Sequence, residues 1–208
     1  MNNIFTENFS RRNFIKAAGF FAASYFIPKI ASANEFIKTE FKTLDEMNIG
    51  KTNLVFDAMD LREYTGAIVV HHSGLLKGDV DSTVADIHEM HIVKNKWSGI
   101  GYHFVIHKDG FVEFARPLEY QGAHTFKNNE FTVGICLAGN YQIGEPPQEQ
   151  LQSAVQLIGA LCEKYKFPPT DTTIFGHRDL GKTSCPGKNL YVLLPDIIYS
   201  SRKILKLT

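Results

Sequence analysis

Short apolar runs rich in β-branched residues alternate along this chain with longer stretches whose apolar residues recur at helical spacing. The uninterrupted run at residues 67–70 (Ala-Ile-Val-Val) is typical of a buried strand. Asp109-Gly110 separates two further runs, and an Asp-Gly pair in that position indicates a hairpin. The pattern therefore predicts strands at residues 67–70, 102–106, 111–115, 132–138 and 172–175.

Three helices are predicted between and after these strands. Ser82 or Thr83 is a suitable cap for a helix that runs to about Lys96. Pro146-Pro147 opens a second helix, whose apolar residues recur at helical spacing through residue 162. A closing helix is expected at residues 190–203, with Pro195 delaying its start. Because strands and helices interleave and one strand pair is a hairpin, we predict an α/β fold: a single domain with a central mixed β-sheet flanked by helices.

The first 33 residues have the order of a secretory signal peptide: basic, then apolar, then small. Arg11 and Arg12 precede an apolar run at residues 17–27, and Ala31-Ser32-Ala33 is a cleavage pattern. The paired arginines resemble the twin-arginine export signal. A membrane-spanning helix would need about 20 apolar residues, more than residues 17–27 supply, so no stable membrane anchor is expected. Residues 1–33 are thus predicted to direct export to the periplasm or the exterior, with cleavage after Ala33; a short amphipathic helix is the alternative.

After this leader, residues 34–65 show no clean period and have no assigned role, and residues 66–208 form the main predicted domain. The charges exclude one class of partner. The chain has 22 Lys+Arg and 22 Asp+Glu, whereas a general nucleic-acid binder needs surplus positive charge. Its three cysteines are too few for a disulfide scaffold in 208 residues. Cys136 and Cys162 are expected to be buried free thiols, although an exported protein could pair them.

A histidine closely follows each of two predicted strands, and a cysteine lies in the loop after the second histidine. His71 follows strand 67–70, His177 follows strand 172–175, and Cys185 lies in the next loop. Ends of strands are where α/β folds place their sites. Two imidazoles and one thiolate suit zinc and leave a fourth position open. Two alternatives stay open on spacing alone: ordinary loop histidines beside a buried thiol, or a hydrolase that uses Cys185 as nucleophile and His177 as base.

Four blocks of sequence carry a family resemblance. VVHHS, WSGIGYHFVIHKDG, QGAHTFKNNEFTVGICLAGN and GHRDLGKTSCPG occur in that order within about residues 66–195. Together they resemble the zinc-dependent N-acetylmuramoyl-L-alanine amidases and the related peptidoglycan recognition proteins. The resemblance implies an exported zinc hydrolase acting on peptidoglycan or its fragments, at the amide between N-acetylmuramic acid and L-alanine. A peptidoglycan-binding module without hydrolysis is the alternative.

Carried over by position, the resemblance assigns roles to residues of this chain. His71, His177 and Cys185 match the Zn²⁺ ligands. Tyr102 matches the tyrosine that catalytically active members place beside the metal. Thr183 lies where phage lysozyme-type amidases have lysine and where many amidase-active recognition proteins have threonine. The presence of both Cys185 and Tyr102 favours catalysis, because members that bind without cutting lack the cysteine.

The resemblance and the strand geometry also assign the neighbouring polar residues. His124 and Asn129 match positions near the substrate groove. His72 and His103 alternate with His71 and Tyr102 along their strands, so they are expected on opposite faces, in structural roles. Asp179 is expected to cap or orient its loop, with a catalytic role as the alternative.

Overall fold

The predicted strands assemble into one mixed sheet. The structure is a computed structural model that describes residues 40–74 and 83–207. Its strands are β1 (Ile49–Lys51), β2 (Ala67–His72), β3 (Phe104–Ile106), β4 (Val112–Phe114), β5 (Thr132–Leu137) and β6 (Ile174–Gly176). Their order across the sheet is β1-β4-β3-β5-β2-β6. Among these described strands only the β3–β4 hairpin is antiparallel, as Asp109-Gly110 predicts, and the other pairings are parallel.

Helices cover both faces of this sheet, as the α/β prediction requires. They are α1 (Val84–Val93), α2 (Gln148–Tyr165), α3 (His177–Leu180), α4 (Lys188–Tyr191) and α5 (Leu194–Ile204). Thr83 caps α1, since its Oγ1 accepts from the Asp86 amide at 3.1 Å and the Asp86 carboxylate accepts from the Thr83 amide at 3.1 Å. α2 follows Pro147 directly. The mixed sheet with helices on its faces is confirmed.

Alternation along the strands divides the core in two. Ile135 and Leu137 of β5 pack with α2 and α5 in the larger apolar cluster. Cys136 of the same strand faces the smaller cluster, together with Ile87 of α1. Cys162 lies in the larger cluster, so the sheet separates the two buried cysteines and both are free thiols, as expected.

Several element bounds differ from the sequence prediction, and two short elements lie where none is predicted. α1 ends at Val93, and the backbone turns left-handed at Lys96, with φ 59°. The closing helix starts late, as Pro195 predicts: α5 begins at Leu194 with Pro195 in its first turn, and the short helix α4 precedes it. α3 and β1 lie where no element was predicted, since a four-residue helix and a three-residue strand carry too few residues for a period.

Residues 40–65 pack on the domain. β1 pairs in parallel with β4 at the edge of the sheet. The Phe56 and His88 rings meet edge-on, with their centroids 5.3 Å apart. Leu61 forms an isolated antiparallel β-bridge with Tyr120. Arg62 Nη1 donates to the Thr132 carbonyl at 3.1 Å. This segment therefore adds an edge strand and a buried arginine to the fold.

Several sequence predictions lie outside the described residues. They are the export signal at residues 1–33, the first part of the 34–65 segment (residues 34–39), Ser82 and most of the loop after Gly74. Within the described part of the chain, no helix combines the length and the apolar character that a bilayer crossing needs.

Candidate metal centre

The candidate metal ligands meet at the carboxyl ends of two adjacent parallel strands. His71 is the fifth residue of β2. His177 follows β6 directly as the first residue of α3. β2 and β6 pair side by side, so the two imidazoles emerge at one edge, and their ring centroids lie 4.7 Å apart. Strand topology thus joins residues that are far apart in sequence, as the position of both after buried strands predicts.

Cys185 completes the group from the loop after α3. The Gly187 amide donates to the Ser184 carbonyl at 2.8 Å, which closes a turn around Cys185. Cys185 Sγ lies 3.6 Å from His71 Nδ1. One donor atom from each of His71, His177 and Cys185 lies within 4.8 Å of the others.

The spacing of these donors fits zinc. Zinc–nitrogen and zinc–sulfur bond lengths with a tetrahedral angle place the two donor atoms about 3.6 Å apart. That separation is the one found between His71 Nδ1 and Cys185 Sγ, 3.6 Å. His71 is 1% exposed, whereas His177 and Cys185 are partly exposed, so the group is accessible from one side. Three protein donors with one accessible side are the arrangement of catalytic rather than structural zinc sites.

Burial sets the protonation of the three donors. It lowers the pKa of His71 well below its ordinary value, helped by the neighbouring His124 and His177 imidazoles, and it lowers the pKa of His177 as well. Both histidines are therefore neutral at pH 7, as metal ligands must be. Burial also raises the pKa of the Cys185 thiol to about 11. A thiol nucleophile needs a lowered pKa, so this environment disfavours the Cys–His hydrolase alternative and makes the thiolate dependent on a bound cation.

Tyr102 lies beside the candidate metal ligands. Its ring centroid is 5.0 Å from that of His71, and it packs with the smaller apolar cluster on the face of the sheet opposite His72. Burial raises the pKa of the Tyr102 phenol well above its ordinary value, so the hydroxyl keeps its proton at neutral pH. Its ring also contacts the ring of buried His91, whose Nδ1 accepts from the Gly101 amide at 3.0 Å.

Thr183 lies in the turn that carries Cys185. Its side chain is exposed, and its Oγ1 accepts from the Cys185 amide at 3.2 Å. That bond uses the hydroxyl as an acceptor, so its proton can still be donated. A second hydrogen bond from Thr183 to a reacting oxygen stays a prediction.

His124 and Asn129, the expected groove residues, lie directly behind the ligands. His124 is 6% exposed, and its Nδ1 is 3.0 Å from His71 Nε2. Asn129 Oδ1 accepts from the backbone amides of His124 and Thr125, at 3.0 and 2.9 Å. Both residues belong to the site, but the contacts described for them are with the protein; substrate binding by them stays a prediction.

The remaining polar residues have structural contacts. His72 Nδ1 accepts from the Tyr141 amide at 3.0 Å, on the face of the sheet opposite His71, as strand alternation predicts. His103 Nδ1 accepts from the Gly134 amide at 3.0 Å. Asp179 accepts from the Gly176 amide at 2.7 Å and from the Tyr191 hydroxyl at 2.6 Å, so its predicted loop-orienting role is confirmed.

Two arginines that support the site were missed. The Arg178 amide donates to the Cys185 carbonyl at 2.9 Å, and its guanidinium donates to the Ser184 carbonyl. Arg116 is 3% exposed and donates to the Ile100 carbonyl at 2.8 Å, next to the segment that leads to Tyr102. Both arginines bind backbone carbonyls of other segments, and no residue pattern in the sequence predicts such a contact.

Comparison with known proteins agrees with this geometry. Residues 62–188, more than half of the chain, match the family model Amidase_2, described as N-acetylmuramoyl-L-alanine amidase. The chain is 32% identical over 129 residues to peptidoglycan-recognition protein LB of Drosophila melanogaster, a match covering 60% of this chain and 55% of that protein. It is 32% identical over 130 residues to an endolysin of Klebsiella phage KP32, covering 62% and 85% of the two chains. The chain thus spans little more than half the length of the Drosophila relative.

Solved structures show the same fold. The amidase LysC from Clostridium intestinale superimposes with a TM-score of 0.64 at 29% identity, covering 78% of this chain and 99% of that one. Drosophila PGRP-LB superimposes with a TM-score of 0.62 at 27% identity, covering 69% and 90%. Both hydrolases and recognition proteins therefore share this architecture, and the site residues have to decide between the two activities.

Proposed function

Because this chain belongs to the N-acetylmuramoyl-L-alanine amidase family, we propose that it is a zinc-dependent hydrolase that cleaves the amide between N-acetylmuramic acid and L-alanine in peptidoglycan. One observation carries the proposal: the donor atoms of His71, His177 and Cys185 lie within 4.8 Å of one another. Tyr102 lies beside them.

The three ligands would set the net charge of the metal site and leave one side of it open. When bound, zinc polarises a carbonyl oxygen and lowers the pKa of a water molecule to about 7. Neutral His71 and His177 add no charge, and Cys185 contributes one negative charge after losing its proton to solvent. The partly exposed side of the group, formed by His177 and Cys185, is the side from which substrate approaches.

Tyr102 supplies a hydrogen bond to the substrate oxygen that becomes negative during attack on the amide. Its hydroxyl stays protonated because burial raises its pKa. A preorganised donor of this kind contributes about 3–4 kcal/mol to the transition state, or about a hundred- to thousand-fold in rate. Thr183, whose hydroxyl proton is available, is the candidate for a second donor.

Export completes the proposal. Peptidoglycan lies outside the cytoplasm, and the basic, apolar and small-residue zones of residues 1–33 have the order of a cleaved secretory signal. Arg11 and Arg12 favour the twin-arginine route, which carries folded proteins and is compatible with a metal bound before export.

The test uses purified residues 34–208 with isolated sacculi, with Tyr102→Phe as the control variant. We expect wild type to bind one zinc ion and to release soluble peptide, and chelation to abolish the release. Tyr102→Phe is expected to keep the zinc and to pellet with sacculi while losing about a hundred- to thousand-fold in rate.

Three results would contradict the proposal in different ways. Pelleting without release by wild type would indicate a binding module. Release that resists chelation would indicate the Cys185 nucleophile. A Tyr102→Phe variant with the wild-type rate would remove the role given to Tyr102.

A further inference from the structure

His124 is buried against one metal ligand. Its ring stands at 81° to the ring of His71, with centroids 5.0 Å apart. The closest atoms are His124 Nδ1 and His71 Nε2, at 3.0 Å, a hydrogen-bond distance. His124 thus contacts the ligand on the side away from Cys185.

Metal binding decides which nitrogen donates in this pair. His71 Nδ1 is the atom next to Cys185 Sγ, at 3.6 Å, so it is the nitrogen that faces the metal. A neutral imidazole that offers one nitrogen lone pair to a metal carries its proton on the other nitrogen. His71 Nε2 is therefore the donor, and His124 Nδ1 is the acceptor.

The surroundings of His124 hold its Nδ1 in this position. Thr125 Oγ1 lies 3.0 Å from the same nitrogen. Two glycines make room for the ring: a Cβ at Gly122 or Gly134 would lie 2.2 or 2.5 Å from His124 Cδ2. Asn129 fixes the backbone, because its Oδ1 accepts from the amides of His124 and Thr125. Ring and backbone are thus constrained independently.

The second nitrogen of His124 points into the protein. Nε2 is buried, and the Thr132 backbone is a hydrogen-bond partner of the His124 ring. Nε2 lies against the same two glycines, since a Cβ at Gly122 or Gly134 would be 2.7 or 2.9 Å from it.

We propose that His124 is a positioning residue that accepts the Nε2–H of His71 and thereby directs His71 Nδ1 at the metal, with Asn129 holding the backbone of His124 in place. The inference rests on the zinc site of the proposed function. It gives His124 a role in metal affinity in place of the substrate contact that the family resemblance implies. Removal of such a partner behind a metal ligand typically costs about 10- to 100-fold in affinity.

The test measures the zinc dissociation constant by competition with a chelating indicator, on residues 34–208 at pH 7.5. His124→Leu removes the acceptor, whereas His124→Asn places Oδ1 close to the position of Nδ1. Asn129→Ala, at a partly exposed residue, loosens the loop without altering the ring. His88→Leu is the matched control, because His88 Nδ1 also accepts a hydrogen bond, from the Ile100 amide at 3.1 Å, away from the ligands. Thermal unfolding of each metal-free variant checks that it folds.

We expect His124→Leu to bind zinc about 10- to 100-fold more weakly, His124→Asn to recover most of that loss, and Asn129→Ala to lose less than His124→Leu. His88→Leu should bind zinc as wild type does. If His124→Leu does not fold, the other two variants decide. The inference is overturned if Asn129→Ala binds zinc as tightly as wild type does. It is also overturned if His124→Asn binds zinc as poorly as a variant lacking Cys185.

Two outcomes separate the role of His124 from the zinc amidase activity. Wild-type zinc affinity in His124→Leu together with a raised KM for sacculi would return His124 to substrate binding and leave the zinc amidase intact. Absence of zinc binding by wild type would overturn both.

Discussion

Acid should destabilise this protein through histidines that are buried in the neutral form, and His91 offers the clearest case. His91 is 3% exposed and lies on α1, where it contacts Tyr102 without being a metal ligand. Burial and the nearby Arg116 charge lower its pKa from 6.5 to about 4. The unfolded chain therefore takes up a proton near pH 6.5 that the folded chain takes up only near pH 4.

This difference makes stability depend on pH in a defined direction. Stability is fully present above pH 6.5 and is lost as the pH falls towards 4, because the unfolded state binds more protons in that window. The full difference of about 2.5 pKa units corresponds to about 3 kcal/mol. At pH 4.5 most of it has been lost, about 2–3 kcal/mol for His91 alone.

The assay compares urea unfolding of wild type and His91→Asn at pH 7.5 and pH 4.5, with metal removed by a chelator. The substituted side chain would keep an acceptor for the Gly101 amide but would not titrate, so the variant should lose about 2–3 kcal/mol less on acidification. Its stability at pH 7.5 reports the packing cost separately, because His91 is neutral in both states there. Equal losses in the two proteins would refute this account of His91.

Three further outcomes are expected. Cys185→Ser should lose zinc or bind it far more weakly than wild type, because a hydroxyl replaces a thiolate poorly; metal content after dialysis measures this, and full zinc content would contradict the ligand assignment. Asp179→Ala should lower the free energy of unfolding by about 1–3 kcal/mol through the unpaired Gly176 amide, yet retain turnover at saturating zinc; loss of turnover with zinc bound would make Asp179 a catalyst. Changing Arg11 and Arg12 to Lys should block export in a cell-fractionation assay, and unchanged export would reject the twin-arginine route.

That His71 and His177 lie close together could be predicted from simple rules, whereas the inclusion of Cys185 and the choice of zinc depended on the family resemblance. A β-branched run identifies a buried strand, and polar residues at the ends of parallel strands meet at one edge of the sheet. His71 and His177 satisfy both conditions and lie at the ends of the paired strands β2 and β6. The opposite orientation of His72 follows from the alternation of side chains along the same strand.

Other features depend on contacts that a residue pattern does not encode. The inward position of His124 requires the space left by Gly122 and Gly134, which no local period reveals. β1 contains Gly50 between two residues in a strand too short to show alternation, so only its pairing with β4 defines it. Pro195 predicts the late start of the closing helix α5, but nothing in the pattern predicts the short helix α4 before it.

The most direct test of the central claim identifies the bond that is cut. Sacculi are digested with residues 34–208 with and without a chelator, and the soluble products are read by mass spectrometry. A zinc-dependent N-acetylmuramoyl-L-alanine amidase should release stem peptides that begin with a free L-alanine amine, absent after chelation and restored by added zinc. Products cleaved at any other bond, or the same products in the presence of chelator, would contradict a zinc-dependent N-acetylmuramoyl-L-alanine amidase.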